Sequence, residues 1–257
     1  MGGESTTDTA SRGGGTHGDP AGSRTGRRLS GLAVALGLAL FLGGFVWGAV
    51  AYQPYTVPTS SMAPTIGAGD RVLAQRVDGT EVRRGDVVVF QDTSWANVPM
   101  VKRVVAVGGD TVSCCREGRL EVNGRAVDET YLPAGRPAEI TGFPTVTVPE
   151  GRLFLLGDER GNSVDSTAHL TDAAAGTVAR DAVDARVDAV VWPMNGMLER
   201  PGGFAALGDL SPPGPLRTVV ALIAAGAVLI LAGAAHGPVA RRAAARSRTG
   251  TEPGRAV

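Results

Sequence analysis

The stretch P-M-V-K-R-V-V-A-V-G-G-D, residues 99–110, reads as a β-strand over 101–107 followed by Gly108-Gly109-Asp110. A period of two places Met100, Lys102, Val104 and Ala106 on one face and Arg103 on the other. Runs of the same β-branched character lie at 71–77, 86–90, 120–127, 145–148, 153–156 and 183–192, with turn residues between them. That pattern belongs to an all-β domain. Within L-E-V-N-G-R-A-V, Asn123-Gly124 is a hairpin signal, because both residues accept the positive φ of a type I′ turn. Pro149-Glu150-Gly151 marks a second turn. The expectation is a mainly β domain over 53–217, without internal repeats, ending in a Pro/Gly-rich connector at 193–215.

Outward from this domain the composition changes. Residues 1–28 are rich in Gly, Ser, Thr and Arg without apolar periodicity, as in a disordered tail. From 29 to 52 the chain is apolar and uncharged, long enough for the roughly 20 residues that span a bilayer. A second, shorter apolar stretch covers 218–235, and a basic tail follows at 236–257. Arg24, Arg27 and Arg28 precede the first stretch; Arg241, Arg242, Arg246 and Arg248 follow the second. Arg-rich flanks stay in the cytoplasm. Both termini are therefore expected inside the cell and 53–217 outside it. The competing readings are a cleaved signal peptide ending near Ala49-Val50-Ala51 for the first stretch and a buried helix for the second. The first run exceeds the usual signal-peptide core, and the Arg cluster behind the second favours a span.

Several chemistries are short of residues. A formal net charge of zero argues against a nucleic-acid partner. Of the three histidines, His17 lies in the tail and His236 beside the second span, leaving His169. No HExxH or Cys/His set is present, so a zinc site lacks ligands and no metal or cofactor is expected. Cys114 and Cys115 are adjacent; a disulfide between them would close a small ring far from the preferred geometry, so separate thiols are expected. What remains is a hydroxyl with an amine. The chain holds 24 Arg and one Lys, Lys102, and arginine cannot give up its proton. Lysine can act as a base if burial disfavours its charged form. The competing reading is a strand-edge lysine whose amine reaches water. The serine candidate lies in T-V-P-T-S-S-M-A-P-T, residues 56–65, where loop hydroxyls ordinarily just bond the local backbone.

Four ordered boxes change that balance. Pro58-Thr59-Ser60-Ser61-Met62-Ala63-Pro64-Thr65, the run Gly85-Asp86 with its apolar strand, Lys102-Arg103-Val104 through Gly108-Gly109-Asp110, and Gly157-Asp158-Glu159-Arg160-Gly161-Asn162-Ser163-Val164-Asp165-Ser166 follow one another. Together they resemble the type I signal peptidases of bacteria. The resemblance implies a β-rich peptidase core with a small β insertion at about 111–150. It implies Ser61 as nucleophile, Lys102 as general base, and Ser163 hydrogen-bonded to the lysine amine. The Ser61 N–H and the Thr59 hydroxyl would form an oxyanion hole, and Asp158 and Asp165 would brace the site. Substrates would be exported preproteins with small residues before the cut, met at the membrane lipid surface. Gly161 stands where the family often has Asp, and Thr167 where it usually has Arg. Those two changes are the support for a rival reading, a catalytically inactive membrane-tethered binding module. A self-cleaving repressor-type peptidase shares the Ser/Lys chemistry, but such proteins are soluble and the two apolar stretches oppose it.

Overall fold

The computed structural model describes residues 22–116, 118–133 and 142–249. Among the described residues, two long helices, α1 (Gly22–Ala51) and α2 (Leu216–Thr249), precede and follow twelve strands along the chain. Within them Arg28–Ala51 and Leu216–Ala235 are long and apolar enough to cross a membrane. The helices run past the apolar stretches. Residues 22–28, expected as tail, belong to α1, and 236–249 continue α2. Past Gly237 and Pro238, which disfavour helix, the Ala/Arg content of 239–248 supports the extension once the apolar span has nucleated it. Positions 1–21 and 250–257 of the expected tails, and 117 and 134–141 of the expected insertion, lie outside the described residues.

The chain divides into two compact units, one built from residues up to 43 and from 222 onward, the other from 44–221. In the helical unit, α1 and α2 touch through glycines. A Cβ on Gly226 would fall 2.5 Å from the Phe41 nitrogen and 2.6 Å from the Gly37 oxygen, and one on Gly37 only 2.8 Å from the Gly226 oxygen. Small residues permit such backbone approach between spans. Gly226→Leu should therefore lower the stability of the detergent-solubilised protein by about 1–3 kcal/mol, read from its thermal midpoint. Gly43→Leu, where a Cβ meets nothing within 4 Å, should not lower the midpoint.

The second unit holds two antiparallel sheets. Strands β1 (Tyr52–Thr56), β2 (Arg71–Arg76), β3 (Val87–Phe90), β4 (Met100–Val107), β5 (Thr111–Arg116), β6 (Arg119–Val122), β7 (Arg125–Ala126), β8 (Phe143–Thr147), β9 (Arg152–Leu156), β10 (Thr177–Ala179), β11 (Val183–Trp192) and β12 (Gly196–Met197) follow in chain order. The larger sheet runs β1-β2-β11-β3-β4-β9-β10, with β12 added to β11; the smaller runs β7-β6-β5-β8. Asn123 and Gly124 take φ of 53° and 70° in the turn between β6 and β7. Strand β1 was not foreseen. It carries Pro54 and lies at the sheet's edge, where a missing donor is tolerated.

Strict alternation along β4 breaks at one place. Val104 pairs with Leu155 and Ala106 with Phe154, so Val105 is an extra residue in a bulge. Val104 packs in the cluster around Phe90 and Leu155, whereas Val105 and Ala106 join the one around Phe154 and Phe204. Ala106 therefore does not share the Lys102 face. A bulge shifts the pleat by one residue, which a period-two reading cannot anticipate. The expectation of separate thiols also gives way: Cys114 and Cys115 are joined by a disulfide. Successive side chains of a regular strand point to opposite faces, but the pair sits where β5 slips in register against both β6 and β8, with Cys114 in the core.

Candidate active site

The segment after β1 leaves the sheet edge and folds back as a compact turn. Met62 and Ile66 are fully buried under β2, β3 and β11 and act as its anchors. Ala63 N donates to the Ser60 carbonyl at 2.9 Å and Ile66 N to that of Met62 at 2.9 Å. Fixing this turn fixes Ser61, whose own carbonyl accepts from Glu159 N at 3.0 Å. Only 8% of Ser61 is exposed.

Lys102 comes from the middle of β4, between β3 and β9. Its amine is not at a strand edge and does not reach water: 3% of the residue is exposed. Nζ lies 3.0 Å from Ser61 Oγ and donates to the Val101 carbonyl at 3.2 Å. Burial pushes this amine below the ordinary lysine value of 10.5, against the opposing pull of the Asp165 and Asp158 charges. A neutral amine has two N–H groups and one lone pair. With an N–H committed to Val101, the lone pair can face the serine hydroxyl. The Thr59 hydroxyl lies 3.3 Å from Ser61 Oγ, where either group can donate.

The last box is brought to the same place by β9 and the turns after it. Gly157 must be glycine here. A Cβ would sit 2.2 Å from Ser163 Oγ and 2.5 Å from the Ser61 carbonyl oxygen. Ser163 lines a hollow of about 680 Å³ together with Ser60, Ser61, Lys102 and Asn162. Its Oγ is buried without a hydrogen-bond partner, so the expected bond to the lysine amine is not formed. Asp165 holds the Gly157 N–H at 2.9 Å through one oxygen, and with the other accepts from Thr167 N at 3.1 Å and Thr167 Oγ1 at 2.8 Å. Thr167 thus caps a carboxylate where an arginine would pair with it.

Asp158 is braced from a different strand face. Arg103 donates from Nε and Nη2 to its two oxygens at 2.8 and 2.6 Å, and Thr65 Oγ1 donates at 2.5 Å. The pair is buried on both sides, and the Arg103 guanidinium also lies 3.9 Å from the Tyr131 ring centroid. Arg160 binds Glu129 and the Gly157 carbonyl. Arg103, Thr65, Tyr131 and Arg160 escaped the sequence reading as brace residues. The available signal was a charged Arg103 between Val101 and Val105 on an apolar face. Gly161 is exposed and braces nothing.

A second hollow of about 370 Å³ opens beside Ser61 and Lys102, with Val57, Val89, Met100 and Val101 among its walls. A buried serine hydroxyl within reach of a lysine whose charged form burial disfavours, beside an apolar cavity, defines a candidate hydrolase site of the serine–lysine kind. Residues 29–192 match the family described as "Signal peptidase, peptidase S26", and the chain belongs to that family of peptidases. It is 36% identical over 144 residues to "Signal peptidase I" of Bacillus licheniformis, covering 52% of this chain and 74% of that protein. "Signal peptidase I" of Mycobacterium tuberculosis is 32% identical over 191 residues, covering 55% and 65% respectively. "Signal peptidase I T" of Bacillus subtilis is 32% identical over 175 residues, covering 65% and 84%.

Proposed function

We propose that this chain is a membrane-bound signal peptidase I, which removes N-terminal signal peptides from exported preproteins by Ser61/Lys102 catalysis. The single observation that carries the reading is the 3.0 Å approach of Lys102 Nζ to Ser61 Oγ, with both residues out of water. In the reaction, Lys102 takes the hydroxyl proton as Ser61 Oγ bonds to the scissile carbonyl carbon. The resulting oxyanion is held by the Ser61 N–H and the Thr59 hydroxyl. Donors aimed at that charge are worth about 10²–10³ in rate. The C–N bond then breaks, and the Lys102 ammonium returns its proton to the leaving amine. A water, deprotonated by the same amine, attacks the acyl carbon; the bond to Ser61 Oγ breaks and the Lys102 ammonium returns its proton to that oxygen. Ser163 serves as the lysine-orienting group by turning its unpartnered hydroxyl toward the amine. Asp158 and Asp165 keep the last box against Ser61.

α1 and α2 tether the domain to lipid, both termini lie in the cytoplasm, and 53–217 faces outward, as the Arg-rich flanks favour. Anchoring there raises the effective concentration of signal peptides still held by their apolar cores. The intact Ser61, Lys102 and Thr59 cluster speaks against an inactive binding module. Detergent-solubilised protein should convert a model exported precursor to its mature form, and Ser61→Ala should show no conversion above background. Conversion by Ser61→Ala at the wild-type rate would overturn the reading.

A further inference from the structure

His169, the one histidine of 53–217, takes no part in the chemistry above. Its ring lies flat on that of Trp95, with centroids 4.3 Å apart and planes 11° from parallel. Both rings line the smaller, apolar hollow that also holds Ser61 and Lys102.

Each leaf of this stack is held from behind. Trp95 is 3% exposed and meets Phe90 edge-on at 5.5 Å. The loop carrying it, between β3 and β4, is tied by Trp95 N and Asn97 N to the Asp92 carbonyl, each at 3.1 Å. His169 Nδ1 pairs with Asp172 Oδ2 at 2.7 Å. It ends the 3₁₀ turn Ser166–His169, whose N-cap is Asp165, the residue that grips Gly157. The second leaf therefore hangs from the same turn that braces the last box.

We propose that the Trp95–His169 stack is a specificity-determining wall of the substrate cavity, setting how large a peptide side chain can sit beside the bond being cut. This rests on the peptidase reading above. Two hollows meet at Ser61 and Lys102. One is lined by the polar groups of Ser60, Asn162 and Ser163. The other is walled by valines, Met100 and the two stacked rings. An apolar side chain next to the scissile carbonyl enters the second, because the first would leave hydroxyl and amide groups unpaired. With Trp95 buried against Phe90 and His169 tied to Asp172, the stack bounds the cavity on that side. In such pockets a methylene or two alters kcat/KM by about 10–200-fold.

The test uses full-length, detergent-solubilised protein and precursors carrying Ala, Val, Leu or Phe at each of the three positions before the cut. The wild type should favour small residues. At one of those positions, His169→Ala and Trp95→Ala should raise kcat/KM for Leu or Phe relative to Ala by about tenfold or more. The readout is the ratio of Leu or Phe to Ala within each variant, so a uniform change in rate does not count. His169→Phe, which keeps a flat ring, should retain the wild-type ranking. His169 is partly exposed, so its variants decide the matter even if Trp95→Ala fails to fold. An unchanged ranking in His169→Ala, with the Ala precursor still cut, would sink this wall and leave the peptidase reading standing. Failure of the wild type to cut any precursor, or cutting by Ser61→Ala, would sink both.

Discussion

Replacing Lys102 by methionine should lower kcat/KM for precursor cleavage by about 10⁴-fold, the upper range for losing a positioned general base. Methionine matches the volume of the buried stem, so the fold should survive and the loss should fall on kcat. Lys102→Arg should fail as completely, since a guanidinium stays charged at any working pH. The wild-type pH profile follows from the same chemistry. Below the amine's pKa the lysine is charged and has no lone pair to accept the serine proton. As pH rises through that pKa, kcat/KM should climb about tenfold per unit and then level off. Burial sets the amine below the ordinary 10.5, so the plateau should begin earlier than for a solvated lysine. Steady-state cleavage of a model precursor across mildly acidic to alkaline pH measures it. A flat profile, or a Lys102→Arg form with full activity, would remove Lys102 from the role of base.

Asp158→Ala should cost about 3–5 kcal/mol of stability, since it strands the Arg103 guanidinium in the interior. The Arg103 Nε and Nη2 and the Thr65 hydroxyl, which now donate to Asp158, would lose their acceptor. Denaturant unfolding of the solubilised protein gives the number. The double change Arg103→Met with Asp158→Leu should recover much of the loss, because an apolar pair avoids the buried charge. Activity carries a second signature. The Asp158 charge raises the Lys102 pKa, so removing it should move the rising limb of the pH profile to lower pH in the surviving folded fraction. A loss below about 1 kcal/mol, ordinary for a surface pair, would show that this pair does not hold the site together.

Much of the strand layout was legible because a half-buried strand writes its faces into successive residues. The runs at 71–77, 86–90, 153–156 and 183–192 meet β2, β3, β9 and β11 within a residue or so at each end. Strand β10 was not legible: three residues, Thr177–Ala179, are too few to show alternation. Strand β5 was hidden by its Cys pair and by short polar neighbours. Ser61 and Lys102 stood out as candidates because the chain has one lysine and because four boxes resemble those of a known family. The bracing around them did not. Thr167 in place of an arginine looked like a missing ion pair, yet the threonine caps Asp165 while Arg103 secures Asp158.

From the linear chain come the two apolar stretches, the Asn123-Gly124 hairpin and the β character of the domain. Each is written in composition or short-range period, which report a residue's own surroundings along the chain. The approach of Lys102 to Ser61, the burial of Arg103 against Asp158, the unpartnered Ser163 hydroxyl and the Trp95–His169 stack come from how strands are ordered and turns folded over one another. Strand order is a long-range property: local patterning says which side chains share a face, while packing of distant segments decides what that face meets.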